Sequence, residues 1–264
     1  MAAISIKSKD DIEAMRRSCR VVSEIRDRLA AMLAPGMTTG EVDHLAVEMM
    51  REYGAKSAFL NYRGFPGNIC ISVNEEVVHG IGGERKLAYG DAVKLDVGIF
   101  LNGWVGDTAV SVAIGVVPEE VEKLMRATEE ALHIGIAKAR SGARLGDVSA
   151  AIERHAVSHG YSVVREFVGH GVGRKLHEEP QIPNYGRAGT GPILKPGMTL
   201  AIEPMVNMGV AEVKLLKDGW TVVTADEKPS AHYEHTILVT EKDPEILTTC
   251  SSSVGVGAKG ALCS

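Results

Sequence analysis

The chain repeats itself once, at an offset of about 106 residues, and this duplication limits its fold more than any other feature. The stretch Ser141-Gly142-Ala143-Arg144-Leu145-Gly146-Asp147-Val148 resembles Pro35-Gly36-Met37-Thr38-Thr39-Gly40-Glu41-Val42, which sets Gly142 on Gly36. The offset persists at Gly40 and Gly146 and at Gly54 and Gly160. It becomes 107 where Leu87-x-x-Gly90-Asp91-x-Val93-x-Leu95-Asp96 parallels Leu194-x-x-Gly197-Met198-x-Leu200-x-Ile202-Glu203. Solenoid repeats are shorter, so the period predicts two halves about a pseudo-twofold axis that share one sheet. A site at the join draws residues from both halves.

Local patterns fill in each half. Ser8-x-x-Asp11 has the form of a capping box, and Ile12, Met15, Cys19, Val22, Leu29 and Leu33 recur near helical spacing until Pro35-Gly36 ends the run. Thr38-x-x-Glu41 opens a second helix with Val42, Leu45, Met49 and Tyr53 on one face and Gly54 as its stop. A long helical pattern from Pro118 to about Ala139 starts the second half. Alternation at Val93, Leu95 and Val97, and again at Leu200 and Ile202, predicts strands with one face packed on helices. The expectation is an α+β fold: one catalytic domain over residues 1–250 with halves of about 8–113 and 114–248, then a Ser/Gly-rich, disordered tail over 251–264.

Composition excludes several function classes. At 45% hydrophobic and 24% charged residues the chain is of ordinary globular make-up. A net charge of -5 argues against a dedicated nucleic-acid binder, and Arg16, Arg17, Arg20, Arg26 and Arg28 read as the solvated face of the first helix. Cys19, Cys70, Cys250 and Cys263 form no C-x-x-C, which suggests neither a disulfide framework nor a structural zinc module and fits a reducing compartment. The opening residues lack an apolar signal core and no run is apolar enough to span a bilayer, so the expected setting is cytoplasmic, with no membrane partner.

The repeat puts an acid at the same strand position of each half, Asp96 and Glu203, on the face opposite Val93/Leu95 and Leu200/Ile202. Either one alone fits the wet face of an antiparallel sheet. A second acid follows in each half, Asp107 in Gly106-Asp107-Thr108-Ala109-Val110 and Glu234 in Tyr233-Glu234-His235-Thr236-Ile237, each opening a strand-like segment. Four carboxylates meeting at the axis repel one another and raise their pKa values unless cations neutralise them. His170, between glycines in Val168-Gly169-His170-Gly171-Val172-Gly173, adds an imidazole where the backbone can turn tightly. The same glycines lack the G-K-[ST] of a phosphate loop. One nitrogen and four carboxylates suit two divalent cations of the manganese, iron(II), cobalt or zinc group, two of the carboxylates bridging. Such a pair activates water and polarises a scissile carbonyl, which is the chemistry of amide or ester hydrolysis.

Two further histidines stand near strand ends, His79 in Asn74-Glu75-Glu76-Val77-Val78-His79-Gly80 and His177 in Leu176-His177-Glu178-Glu179-Pro180. In isolation they read as a turn residue and a polar loop residue. Beside a dinuclear site each becomes a candidate donor to the substrate's carbonyl or amide.

Asn74 to Gly80, Lys94-Leu95-Asp96-Val97-Gly98, Gly106-Asp107-Thr108, Gly169 to Gly173, His177-Glu178-Glu179-Pro180, Thr199 to Pro204 and Tyr233-Glu234-His235-Thr236 together resemble the type I methionine aminopeptidases in their short bacterial form, over residues from about 11 to 247. The resemblance implies the pita-bread fold. It implies that Asp96, Asp107 and Glu234 hold one metal ion while Asp107, His170, Glu203 and Glu234 hold the other. Removal of the initiator methionine from nascent chains with a small second residue is the implied activity, with Glu203 shuttling the proton and His79 and His177 contacting substrate. Tyr62, Phe65, Cys70 and Trp220 are the implied methionine pocket, whose apolar and aromatic surfaces suit a thioether. Phe59, Phe65 and Leu176 depart from the Cys, Tyr and Phe of bacterial members. The implied partners are nascent polypeptide N-termini and the ribosome, and the implied state is a monomer. The alternatives are a pita-bread binding protein without catalysis, which is free to lose ligands, and a proline-specific aminopeptidase.

Overall fold

The computed structural model describes residues 3–249, so the expected disorder of residues 251–264 lies outside the described residues. Among the described residues four α-helices come in two pairs, each ahead of a run of strands: α1 Lys9–Met32 and α2 Thr39–Glu52, then α3 Glu119–Ile136 and α4 Leu145–Ser158. The first starts at the Ser8 box, where Ser8 Oγ accepts from the Asp11 amide at 3.3 Å and Asp11 accepts from the Ser8 amide at 3.0 Å. Thr38 and Glu41 close the same reciprocal pair on α2, an arrangement worth about 1 kcal/mol per cap. Met15, Cys19, Val22, Ile25 and Leu29 make the buried stripe of α1. Arg26 corrects the solvated-face reading: it is buried, and its guanidinium donates to Thr108 Oγ1 at 2.6 Å. Four residues after Val22 and three before Leu29, it falls on the stripe itself.

One antiparallel sheet of nine strands carries both halves. In chain order these are β1 Lys56–Ser57, β2 Cys70–Val73, β3 Ala92–Leu101, β4 Trp104–Ala113, β5 Gly169–Gly171, β6 Glu178–Ile182, β7 Thr199–Ile202, β8 Glu234–Leu238 and β9 Glu245–Ile246. The spatial order is β1-β3-β4-β8-β7-β5-β6, with β2 also on β3 and β9 on β8. The two halves therefore join where β4 meets β8, through Glu234 opposite Ala109.

The duplication is visible bond by bond. Gly36 donates its amide to Leu87 O at 2.7 Å, and Gly142 donates to Leu194 O at 2.9 Å. Gly40 donates to Gly83 O and Gly146 to Thr190 O, at 2.8 and 3.0 Å. Gly90 and Gly197, at φ 97° and 89°, turn the chain into β3 and β7 through bonds to Ile114 O and Val239 O. Those left-handed angles are why glycine recurs at both places. Each half also has its own core: Val22, Ile25, Val42, Val93 and Leu95 pack together in the first, and Leu124, Leu132, Val148, Leu200 and Ile202 in the second. Burying each such side chain stabilises the fold by roughly 1.5–3 kcal/mol.

Two expectations about the strands need correction. Asp107 does not open its strand; it is the fourth residue of β4, because Asn102-Gly103 makes a two-residue hairpin turn at φ 51° and 80° and β4 starts at Trp104. The second face of the sheet is not wet either. Asp107 and Glu234 are each only 3% exposed, and Phe59, Phe65 and Leu176 stand over that side as part of a cleft wall.

Candidate active site

Strand register puts the five candidate ligands on one face. In an antiparallel pair, opposed residues point to the same side, and so do residues two apart along a strand. Ala109 stands opposite Asp96 on β3 and opposite Glu234 on β8, and Asp107 is two residues before it. Ala201 stands opposite His170 on β5 and opposite Thr236 on β8; Glu203 follows two residues later, just past the end of β7. Both alanines are buried at the centre of the arrangement, where their small side chains leave room. Two halves thus deliver two carboxylates each and the second half alone delivers the imidazole.

The imidazole is oriented by the backbone. His170 Nδ1 donates to Gly171 O at 2.9 Å, which leaves Nε2 without its proton and facing Glu203 Oε1 at 3.5 Å and Asp107 Oδ2 at 3.7 Å. Gly171 makes this turn possible, because a Cβ there would sit 2.2 Å from Glu179 O. Burial lowers the pKa of His170 to about 4, so it is neutral and able to coordinate at physiological pH.

The carboxylates fit divalent metal ions. Asp107, His170 and Glu234 offer ligand atoms that all lie within 4.8 Å of one another. Asp96 Oδ1, Asp107 Oδ1 and Glu234 Oε1 are buried without a hydrogen-bond partner, which is costly for an anion unless a cation faces it. Burial pushes Asp96 up to about 7. Burial first, then the neighbouring carboxylates, hold Asp107, Glu203 and Glu234 well above the usual range. Oxygen-rich donors with a single nitrogen match manganese, iron(II), cobalt or zinc.

A cleft of about 350 Å³ opens onto this cluster. His79 lines it from a left-handed backbone position, φ 60°, next to Gly80, where a Cβ would collide with Ile71 O at 2.1 Å. Its ring meets Phe167 edge-on at 5.2 Å, and burial lowers its pKa to about 4. His177 stands at the mouth, exposed, sharing a 2.9 Å hydrogen bond with the Tyr62 hydroxyl and stacked on that ring at 5.2 Å. Tyr62, Phe65, Cys70 and Trp220 all line the cleft, with Phe59 and Leu176 beside them. Phe65 and Trp220 meet edge to face at 5.3 Å, and Phe59 packs where a side chain on Gly98 would stand. Cys70 lies opposite Asp96, and burial followed by that carboxylate keeps its thiol protonated.

Sequence reasoning missed His232. It is buried, neither ring nitrogen has a hydrogen-bond partner, and Nε2 lies 3.9 Å from Glu203 Oε2. The available signal was its place two residues before Glu234, which puts it on the ligand side if the strand runs straight. Phe167 and Met205, also in the cleft wall, sat in stretches whose composition carried no such signal.

Comparison with known proteins places the chain in a family. A profile of metallopeptidase family M24 matches residues 13–241. A methionine aminopeptidase of Clostridium perfringens is 49% identical over 245 residues, covering 93% of this chain and 98% of that protein. The crystal structure of methionine aminopeptidase from Rickettsia prowazekii superposes with a TM-score of 0.92 at 42% identity, over 94% of this chain and all of that one. A prolidase from Pyrococcus furiosus shares the fold, with a TM-score of 0.77 at 23% identity, over 93% of this chain and 66% of that one. The shared fold is the pita-bread fold expected from the motifs. By sequence, by fold and by the match across nearly its whole length, the chain belongs to metallopeptidase family M24 and, within it, to the methionine aminopeptidases.

Proposed function

We propose that the chain removes the N-terminal methionine from nascent polypeptides whose second residue is small, using two divalent cations. The observation that carries this reading is the cluster of four carboxylates and one imidazole on a single sheet face, at the floor of a cleft with an apolar, aromatic wall. Asp96, Asp107 and Glu234 would hold one cation, and Asp107, His170, Glu203 and Glu234 the other. Bound there, such ions lower the pKa of water and polarise a peptide carbonyl. Glu203 takes the proton from the attacking water and delivers it to the amine as the C–N bond breaks. His79 and His177, neutral imidazoles above the cluster, donate to the carbonyl oxygen as it gains charge. Tyr62, Phe65, Cys70 and Trp220 receive the methionine side chain.

A cytoplasmic monomer acting at the ribosome is the setting we propose, supported by the unpaired, buried thiols of Cys19 and Cys70. No helix among the described residues is long and apolar enough to cross a membrane. A binding protein without catalysis is free to lose ligands, whereas every expected position is filled. The likeness to prolidase at 23% identity concerns the fold alone.

Restoring Mn²⁺, Fe²⁺, Co²⁺ or Zn²⁺ singly to metal-stripped protein should return hydrolysis of Met-Ala-Ser with at least one of them; no turnover with any ion would refute the proposal. His79→Ala should leave metal content unchanged while lowering kcat by about 10²-fold, the usual cost of a lost oxyanion donor. Metal analysis beside the rate decides it, because loss of metal in this variant would make His79 a ligand instead.

A further inference from the structure

Away from the cleft, α3 and α4 bring Glu130, His155 and His159 together, each with a ligand atom within 4.8 Å of those of the other two. We propose that these residues form a separate surface site for one zinc-class ion, which clasps α3 to the last turn of α4.

Four residues apart, the two histidines lie on the same face at the end of α4, and Glu130 reaches them from α3, which packs alongside. His155 Nε2 stands 3.2 Å from Glu130 Oε2. Ligand atoms about 2.0–2.1 Å from a tetrahedral zinc are about 3.3 Å apart, so this pair already spans one edge of such a tetrahedron. His159 Nδ1 donates to His155 O at 2.9 Å, with the two rings 4.4 Å apart. That bond fixes the proton on Nδ1 and leaves the Nε2 lone pair for a metal, the orientation seen in metal-ligating histidines. The carbonyl end of a helix carries partial negative charge, which favours a cation beside it.

An ion pair between His155 and Glu130 accounts for only two of the three groups, and in so open a place it contributes roughly 0–1 kcal/mol. The second imidazole is what makes a coordination set. Two imidazoles and one carboxylate select Zn²⁺, or Ni²⁺ and Cu²⁺ of similar preference, over Mg²⁺ and Ca²⁺, which require oxygen donors. Water completes the tetrahedron. None of the three residues lines the cleft, so the ion holds two helices together without entering the peptidase chemistry.

Equilibrium dialysis of the full chain against ZnCl₂, with its cleft ions in place and bound metal measured, tests the site. Wild type should retain one zinc more than His159→Ala, a substitution at an exposed helix end. Glu130→Gln should weaken that extra zinc at least tenfold, and both variants should keep wild-type peptidase activity. Zinc should also raise the thermal midpoint of wild type above that of His159→Ala. Equal zinc content in wild type and His159→Ala would overturn the proposal, and so would a zinc-induced midpoint shift of the same size in both.

Discussion

Glu203→Ala is expected to lower hydrolysis of a methionyl peptide by on the order of 10³-fold or more, because it removes a proton carrier and a metal ligand in one step. Glu203 stands just beyond β7 with Oε1 3.5 Å from His170 Nε2 and Oε2 3.9 Å from His232 Nε2. Glu203→Gln separates the two contributions: the amide keeps an oxygen for coordination and loses the ability to accept the proton. The expected result is partial retention of metal with an equally deep loss of kcat. Turnover within tenfold of wild type in either variant would contradict the assigned role.

Metal affinity is expected to rise steeply with pH between 6 and 8. In the ion-free cluster, burial and then mutual repulsion hold Asp107, Glu203 and Glu234 well above the ordinary carboxylate range, and burial holds Asp96 at about 7. Protons therefore occupy sites that the cations need, and binding must expel them. His170, lowered to about 4, adds no proton to that release. The sign follows: raised carboxylate values mean weaker binding on the acid side, by about tenfold per pH unit for each proton displaced. Titration with Mn²⁺ at pH 6 and pH 8 in two buffers of different ionisation enthalpy reads both the affinity and the protons released. An affinity independent of pH would mean that the carboxylates are already ionised in the empty site.

The duplication made the fold and the four carboxylates legible because glycines at equivalent turns are dictated by backbone angles rather than by packing. Gly36, Gly90, Gly142 and Gly197 each adopt a left-handed angle that other residues resist, so the repeat survives in them. The capping boxes at Ser8 and Thr38 were equally plain, being local chemistry. What could not be read was anything set by tertiary neighbours. Arg26 looked like one of five surface arginines although its spacing sets it on the apolar stripe, and the approach of β4 supplies its buried partner, the Thr108 hydroxyl. His232 lacked a partner in the repeat and a motif of its own. It becomes visible when the chain after β7 returns through Ser230–His232, pairs with Met205–Asn207, and passes beside Glu203. The start of β4 was misplaced for a different reason: Asn102-Gly103 is a local hairpin signal, and the acid at Asp107 outweighed it.

The directional character of the cleft also depends on tertiary structure. The proposed metal ligands are distributed nearly symmetrically, two carboxylates per half, while the aromatic wall is not. Phe59, Tyr62 and Phe65 come from the segment between β1 and β2, and Trp220 comes from the long excursion between β7 and β8. That excursion pairs Val222–Thr224 with Glu76–Val78, just ahead of His79, and so ties the cleft wall to the proposed donor histidine across the pseudo-twofold axis.

The most direct measurement is the rate on Met-X-Ser tripeptides, with X running from Gly through Ala and Val to Leu and Pro, after single ions are restored to the stripped protein. Cleavage with small X, falling by orders of magnitude as X reaches Leu, is the predicted result. Cleavage confined to X of Pro, or no cleavage of any peptide by metal-loaded protein, would contradict it.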